Sequence, residues 1–441
     1  MAMAYRKGTG TRRWGVCLAG SALLGALVLA LAPTASAAPP DPSAFTMTWV
    51  PSPGNDTIPL AKDNLTNILT STADWTATSG GSCAALAAEK NTQPPVDSSF
   101  CWQMNDAHND NAVPYWIPQG VSTVSDSVDD ESWNGNRAVM VSWYYDNSDG
   151  KDPNPGEVWT NKGVRLTVLN PDTKKYKHIL LVEPTTGPGM YKPVQVHAGG
   201  IVWYGRKIYI ADTKNGLREF SLDNIYDLVK DARGDSTDNT KVGYNEDDDK
   251  FYSYGYRYII PQSGQWKSKN AGPDDYCNQG TGPLRNSWLF LDRHTVPDRL
   301  VIGEYCDNKA DDGSHPPQPP GRMVAWNIKD GELDNANWVA TGDSAWELPR
   351  FTDNANNTTQ GGGTNDGGAN WYFNTSSGEH NGTLRHWRYA NGSWSKVQDV
   401  PAPIGPEDMS YSRNWYPGRF WSITEHLDHR IIYTQCSAAC P

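Results

Sequence analysis

The chain alternates short runs of strand-forming residues with clusters of Gly, Pro, Asn and Asp, and helical periodicity is nearly absent. The runs are rich in Val, Ile, Tyr, Phe and Trp, which favour strands, and the clusters between them are typical of turns. Two segments, 60–70 and 224–233, carry the apolar spacing of short helices. The predicted strands occupy residues 137–145, 164–170, 178–183, 199–205, 207–212, 217–222, 256–261, 287–293, 299–305, 322–328, 371–376, 383–389, 409–413, 419–426 and 430–435.

The number and spacing of these strands predict either a set of β-sandwiches or a β-propeller. A loose repeat favours the propeller. Residues 200–222 run through three strands joined by a Gly-Arg and an Asn-Gly turn, and segments that begin near residues 286, 367 and 406 repeat this order. Units of about 40 residues are typical of propeller blades. We therefore predict an all-β fold, with a β-propeller of six or seven blades, preferably seven, over 106–441 and an N-terminal extension over 38–105 that could also help to close the ring.

The first 37 residues have the order of a secretory signal peptide. Basic residues precede an apolar run over 14–32, and the small-residue stretch Ala35-Ser36-Ala37 follows it. A twin-arginine export route through Arg12-Arg13 and a retained membrane anchor are the alternatives. We favour cleavage after Ala37, because glycines interrupt the apolar run and a cleavage site follows it. No second apolar run is long enough to span a membrane, so we predict a secreted, extracellular protein that makes no membrane contact.

The charge balance argues against nucleic acid as a partner. The net charge is −12, and loss of Arg6, Lys7, Arg12 and Arg13 with the signal would bring it to −16. Nucleic acid needs a basic protein face, because its backbone phosphates are negative. The acidic chain therefore fits a soluble extracellular protein.

The cysteines predict disulfides. Six of the seven cysteines follow the signal, and an even number in an exported chain is typical of a disulfide framework. No pair has the spacing of zinc ligands. Proximity in the chain favours the pairs Cys83–Cys101, Cys277–Cys306 and Cys436–Cys440.

The predicted blade starts carry polar residues beside glycines. An innermost strand is crowded and favours glycine, because backbones approach closely there, and a polar neighbour would then face the mouth of the central channel. Each of these residues could instead tie neighbouring blades together by a hydrogen bond. The positions are Gln119 before Gly120, His197 before Ala198-Gly199-Gly200, Arg285-Asn286, Gln360 before three glycines, and Glu407-Asp408 after Gly405-Pro406.

Two chemistries remain once nucleotide-binding and serine- or zinc-hydrolase motifs are found absent from the sequence. One is glycoside hydrolysis by two carboxylates, with Glu407 or Asp408 acting together with Asp212 or Glu304. The other is β-elimination on a uronic acid, which needs a cation for the carboxylate, a base for the proton beside it and an acid for the leaving oxygen. The chain offers more His, Tyr and Arg than paired carboxylates at these positions, which favours elimination.

These roles define the candidate site. His197 and His108 are candidate bases, Tyr144, Tyr204 and Tyr256 are candidate acids, and Arg257 and Arg285 could clamp a carboxylate because a guanidinium matches it with two hydrogen bonds. Some of the 19 Trp could stack on sugar rings, among them Trp116, Trp266 and Trp415. The predicted catalytic set is His197, His108, Tyr256, Arg257 and Arg285, and the predicted substrate-binding set is Gln119, Glu407, Tyr144 and Trp116.

Several stretches resemble a group of actinobacterial secreted propeller proteins, most of which have no assigned function, and this group is similar to the L-rhamnose-α-1,4-D-glucuronate lyases that trim gum arabic and arabinogalactan side chains. The resemblance covers most of residues 115–434. It implies a seven-bladed propeller with the substrate at the central face and catalysis by histidine and arginine. The stretches are 118–123 (PQGVST), 176–184 (YKHILLVEP), 196–225 (beginning VHAGG), 405–412 (GPEDMSYS) and 419–426 (RFWSITEH).

The expected activity is therefore that of a polysaccharide lyase acting on a uronic-acid-containing polysaccharide. A glycoside hydrolase on the same class of polysaccharide and a non-catalytic sugar-binding propeller are the alternatives, because propellers host unrelated functions. No cofactor is expected to be required. Calcium could bind in the oxygen-rich loops 146–152 and 307–312, although neither has EF-hand spacing. We expect a monomer whose partner is an acidic polysaccharide or oligosaccharide.

Overall fold

Five antiparallel sheets, each with one strand at the centre of the molecule, form the body of the protein in this computed structural model. The structure describes residues 39–54, 57–71, 75–79, 86, 94–105, 108–156, 161–272, 277–306, 319–351 and 358–436. We number the sheets as blades from the innermost strand outward. Blade 1 is Trp116–Thr123, Val139–Tyr145, Val164–Asn170 and Lys175–Pro184; blade 2 is Ile201–Tyr204, Lys207–Asp212, Gly216–Ser221 and Tyr258–Ser268; blade 3 is Trp288–Asp292, Arg299–Gly303, Arg322–Lys329 and Ser344–Glu347; blade 4 is Thr359–Thr364, Asn370–Ser377, His380–Ala390 and Ser393–Ile404; blade 5 is Pro406–Ser412, Arg419–Thr424, Ile431–Cys436, Val96–Cys101 and Thr78–Ser79.

The five innermost strands close a ring, so the fold is a β-propeller, as predicted. Each innermost strand contacts that of the next blade, and the strand of blade 5 contacts that of blade 1. The predicted number of seven blades is wrong, since the ring closes with five in the described part of the chain. The innermost strands begin at residues 116, 201, 288, 359 and 406, so successive starts are 85, 87, 71 and 47 residues apart. Insertions and strands borrowed from distant segments explain why a 40-residue repeat overestimates the number of blades.

The N-terminal segment contributes strands to the blades. Thr46–Pro51 pairs with Tyr258–Ser268 of blade 2, and Val96–Cys101 pairs with Ile431–Cys436 of blade 5. The long strand Tyr258–Ser268 also pairs in parallel with Lys175–Pro184, and it thereby joins blades 1 and 2 into one continuous sheet. Blade 5 is thus built from both ends of the described chain.

Short helices, 3-10 turns and further strands accompany the five blades. The predicted helix over 60–70 is observed as Leu65–Thr70, whereas the one predicted over 224–233 is wrong, because turns and a short strand occupy it and Val229 is exposed. The helices are Leu65–Thr70 and Val124–Ser127, with 3-10 turns Pro42–Ala44, Leu222–Asn224 and Leu228–Lys230. The other strands are Thr46–Pro51, Lys62–Asp63, Trp75–Thr76, Met104–Asn105, His108–Asn109, Tyr191–Pro193, Ile225–Asp227, Gly234–Asp235, Val242–Asn245, Lys250–Ser253, Glu332–Leu333, Asn335–Ala336 and Val339–Thr341.

The core lies between the blades and is rich in tryptophan, with Trp143, Trp203, Trp288 and Trp421 fully buried. Trp266, predicted as a sugar-stacking residue, is also buried, and its indole donates a hydrogen bond to Glu219. Aromatic side chains of this size dominate the energetics of a core, so most of the tryptophan content serves the packing of blades.

The predicted disulfide Cys277–Cys306 is present and joins the segment before blade 3 to the end of its second strand. Cys101 and Cys436 are also disulfide-bonded. Their predicted partners, Cys83 and Cys440, lie outside the described residues, as does the whole predicted signal over 1–37. Within the described ranges, the structure contains no helix long and apolar enough to cross a membrane.

Candidate functional site

A cavity of about 730 Å³ opens at one mouth of the central channel. All five blades supply residues to it, and nine of its 20 lining residues lie on an innermost strand or on the segment that enters one. Five residues expected at blade starts are therefore brought together as the sequence indicated. They are Gln119 of blade 1, His197 before blade 2, Arg285 before blade 3, Gln360 of blade 4 and Glu407 of blade 5.

Glycines allow the innermost strands to approach this closely. A Cβ on Gly120 would lie 2.8 Å from the backbone nitrogen of Ile201, and one on Gly361 would lie 2.7 Å from the Cα of Asp408. A Cβ on Gly200 would overlap the backbone nitrogen of Leu289. The expectation that these glycines mark close backbone approach is confirmed, and Ala198, at φ 56°, turns the chain into the strand of blade 2.

His197 stands in the cavity wall without a hydrogen-bond partner among the described residues. Solvent reaches the imidazole through the cavity, and the Tyr144 ring lies beside it, with centroids 4.3 Å apart. Desolvation by the surrounding walls, helped by the positive charge of Arg285, lowers the pKa of His197 to about 4, and Asp146 opposes this shift. A neutral imidazole that is not used by the fold can accept a proton.

Tyr144 and Arg285 complete this side of the cavity. Burial raises the pKa of Tyr144 above its ordinary value, as do the nearby carboxylates of Glu425 and Asp146, so its hydroxyl stays protonated and can donate. Arg285 is anchored by a hydrogen bond from its guanidinium to the Tyr305 carbonyl at 2.7 Å. This anchored guanidinium and the exposed Lys214 give the cavity two cations.

Two carboxyl groups meet on the opposite side. Burial above all, together with the charges of Glu425 and Asp408, raises the pKa of Glu407 well above its usual range, and Glu407 is hydrogen-bonded to Glu425. Gln119 Nε2 donates to Glu425 Oε2 at 2.8 Å. Glu407 therefore keeps its proton to higher pH than an ordinary carboxyl group does, and it shares a hydrogen bond with Glu425 in the cavity wall.

Asp408 lies beneath this pair, and it does not line the cavity. Its Oδ2 accepts hydrogen bonds from the backbone nitrogens of Ile201 at 3.2 Å and Val121 at 3.4 Å. Burial raises the pKa of Asp408 well above its usual range. Asp408 thus ties the innermost strands of blades 1, 2 and 5 together, and its position suits a structural role.

The other predicted carboxylates are engaged elsewhere. Glu304 is buried and pairs with Arg322, whose Nε and Nη2 donate at 2.8 and 2.7 Å. Asp212 lines the cavity, but its Oδ2 accepts from Arg218 Nε at 2.8 Å. A hydrolase built on the predicted pairs would have to use Asp212 or Glu304, each of which already serves as the partner of an arginine.

Three predicted site residues lie away from the central cavity. Trp116 and Tyr256 line a second cavity. Arg257 pairs through two hydrogen bonds with Asp227, at 2.9 and 2.7 Å, and it lines neither cavity. His108 forms a short hairpin with Asn105, and its side chain lies outside the described part of the structure. The candidate acid Tyr204 donates its hydroxyl to Asp298 instead.

The sequence missed several residues of the cavity. Asp146 and Asn161 come from the loop between the second and third strands of blade 1, Lys214 from a turn of blade 2, and Glu425 from the end of the second strand of blade 5. Glu425 directly follows Thr424, which pairs with Pro406, so Glu425 lies at the same end of blade 5 as Glu407. The polar loop residues carry no such signal.

The described residues contain one group of side chains that could hold a metal ion. Among the described residues, Cys277, Glu304 and Cys306 are the group of ligand-type side chains within mutual reach, and the two cysteines are joined in a disulfide. In the first loop predicted for calcium, Asp152 pairs with Lys162. The second loop, at 307–312, lies outside the described residues. Calcium binding stays a prediction.

Comparison with known proteins gives distant structural similarities alone. No family model matches the chain, and no curated protein matches it. The solved structures similar to it include the fucose-specific lectin from Aleuria aurantia, at 10% identity over 74% of this chain and 81% of the lectin, with a TM-score of 0.30. They also include the RRP9 WD40 repeats, at 6% identity over 78% and 99% of the two chains, with a TM-score of 0.29. A candidate 6-phosphogluconolactonase from Bacteroides fragilis is 10% identical over 82% and 95%, with a TM-score of 0.29.

Proposed function

We propose that the protein is a secreted polysaccharide lyase that cleaves a uronic-acid-containing polysaccharide by β-elimination at the central cavity. The observation that carries the proposal is the uncommitted His197, with its lowered pKa, between Tyr144 and the cation Arg285. These three side chains match the base, acid and carboxylate-binding group that elimination requires. The lectin-like alternative needs no neutral base in the cavity.

In the proposed reaction, the uronate carboxylate binds the guanidinium of Arg285. His197 removes the proton on the ring carbon next to the carboxylate. The electron pair forms a double bond to the adjacent ring carbon, whose bond to the leaving glycosidic oxygen breaks. Tyr144 gives its proton to that oxygen and regains one from solvent. One unsaturated uronate and one free sugar hydroxyl are the products, and no oxidant or reductant is needed.

The substrate proposed is an L-rhamnose–D-glucuronate end, as found on gum arabic and arabinogalactan. The support for it is the sequence resemblance and the two cations that face the cavity, Lys214 and Arg285. The disulfide Cys277–Cys306 is compatible with export, since disulfides persist in oxidising compartments. Hydrolysis is less favoured, because Asp212 and Glu304 are held by Arg218 and Arg322.

Incubation of the purified protein with gum arabic should yield free rhamnose together with a new ultraviolet absorbance, because elimination conjugates the new double bond with the uronate carboxylate. Rhamnose would be measured by chromatography and the double bond by absorbance in the same samples. Reducing sugar without the absorbance would establish hydrolysis instead. Binding of the polysaccharide with neither product would establish a sugar-binding module.

The pH dependence of kcat/KM should reflect the protonation of the His197 imidazole. Protonated imidazole cannot accept a proton, so kcat/KM should fall as pH decreases through about 4, the pKa to which burial lowers His197, and it should be level above that value until another group titrates. An acid limb near the ordinary imidazole value of about 6.5 would contradict the assignment. Arg285→Gln removes a charge that lowers this pKa, so the limb and the NMR titration of the His197 ring should both move to higher pH.

A further inference from the structure

The structure brings two of the predicted site residues, Trp116 and Tyr256, into a second cavity of 610 Å³. The segment 109–116, blade 1 and the segment 236–256 form its lining. The mechanism above uses none of these residues. We propose that this cavity is a second carbohydrate-binding site, which takes neutral sugar residues of the polysaccharide; the identity of the polysaccharide rests on the proposed function.

Aromatic rings shape the cavity. Trp75, Tyr115 and Tyr256 are partly exposed in its lining, and the buried Trp116 backs them, with its ring 6.2 Å from that of Tyr256 in an edge-on arrangement. Aromatic side chains offer an apolar face together with a polar hydroxyl or indole edge. This combination suits a sugar ring, which has an apolar face of C–H groups and a rim of hydroxyls.

The charges in the second cavity are matched. Arg165 Nη2 donates to Asp110 Oδ1 at 2.7 Å, and Lys162 Nζ lies 2.9 Å from Asp152 Oδ2. Arg165 and Lys162 each already pair with a carboxylate, so a uronate would have to compete for them. The second cavity thus favours a neutral sugar.

Two polar atoms at this cavity lack a partner. The Arg165 Nε and the Tyr254 hydroxyl are buried and make no hydrogen bond within the described part of the protein, and both residues line the cavity. Buried polar groups are nearly always hydrogen-bonded in native proteins. A ligand rich in hydroxyls, with the ordered water that accompanies it, would supply the missing partners.

Tyr145 connects the two cavities. Its side chain lines the central cavity, while its hydroxyl donates at 2.8 Å to Asp152 Oδ2, which lines the second. The ring of the neighbouring Tyr144 lies beside that of His197 in the central cavity, at a tilt of 36°. Because one side chain and its hydrogen-bonded partner form the boundary, a single polysaccharide chain could place its acidic end in one cavity and its neutral residues in the other.

Calorimetry with a neutral galactan oligosaccharide, free of uronate, tests the proposal on the full chain. The wild type should bind, Tyr256→Ala should weaken binding roughly tenfold through loss of a stacking face, and Tyr256→Phe should bind nearly as the wild type does. Trp338→Ala removes an aromatic residue that is 60% exposed and lines neither cavity, so it is the matched control. Unfolding midpoints would verify that each variant folds.

Absence of binding by the wild type, or equal binding by Tyr256→Ala, would overturn the second site. His197→Ala should bind the neutral oligosaccharide unchanged, and loss of binding in that variant would place the sugar in the central cavity instead. The lyase assay separates the two proposals. Tyr256→Ala should raise KM for the polysaccharide and leave kcat/KM for a short rhamnose–glucuronate substrate unchanged, whereas neutral-sugar binding without any elimination would refute only the lyase.

Discussion

His197→Ala should lower the rate of elimination by roughly a hundred- to ten-thousand-fold, the usual contribution of a general base. The same change should alter the free energy of unfolding by less than about 0.5 kcal/mol, as at an ordinary surface site. The reason is that the side chain lines the cavity and has no hydrogen-bond partner among the described residues. Initial rates of double-bond formation and urea denaturation of the same preparation would measure both effects.

Controls separate a chemical role from a positional one. His197→Gln keeps a polar side chain but offers no basic nitrogen, so it should be as inactive as the alanine variant. Tyr144→Phe removes only the hydroxyl and should also reduce the rate. His380, an exposed histidine outside the central cavity, gives the matched control, since His380→Ala should leave turnover unchanged. Full activity of His197→Gln would show that another group removes the proton.

Gly200→Ala should destabilise the protein by about 3 kcal/mol, the upper part of the usual range for overpacking a well-packed interior. The added methyl group would overlap the backbone nitrogen of Leu289 in the innermost strand of blade 3. That strand cannot withdraw easily, because it also packs against the innermost strand of blade 4. The effect would appear as a lower urea midpoint with an unchanged slope.

Gly187→Ala is the matched control for this substitution, because a Cβ there would meet no atom within 4 Å. We expect its midpoint to stay within error of the wild type. If Gly200→Ala were equally stable, the innermost strands would have to be more loosely packed than the ring geometry indicates. Loss of soluble Gly200→Ala protein, with normal yield of Gly187→Ala, would agree with the expected clash.

The innermost strands could be predicted from the sequence, because their chemistry is local. A glycine allows close approach of backbones, and the polar residue next to it turns to the channel. This rule placed Gln119, His197 and Glu407 in one cavity. It also gave a reason for the glycines without any knowledge of which strands would be neighbours.

The side-chain contacts and the sheet membership of the outer strands could not be predicted, because the residues that interact there are distant in the chain. Arg257 was expected to face a substrate, yet Asp227, which precedes it by 30 residues, takes its guanidinium. The predicted number of blades was wrong for the same reason. Thr46–Pro51 and Val96–Cys101 add strands to blades 2 and 5 from distant parts of the chain. Hydrophobic periodicity identifies a strand but does not identify the sheet to which it belongs.

The pairing of Val96–Cys101 with Ile431–Cys436 has a consequence for biosynthesis. Val96–Cys101 is translated before the innermost strand of every blade, whereas Ile431–Cys436, with which it pairs, is the last described strand to be translated. Blade 5 therefore stays incomplete until Ile431–Cys436 has emerged. Until then, the edge of Val96–Cys101 that pairs with this strand has no partner strand. Exposed strand edges favour aggregation, so a protein of this architecture benefits from staying unfolded, or chaperone-bound, until synthesis is finished.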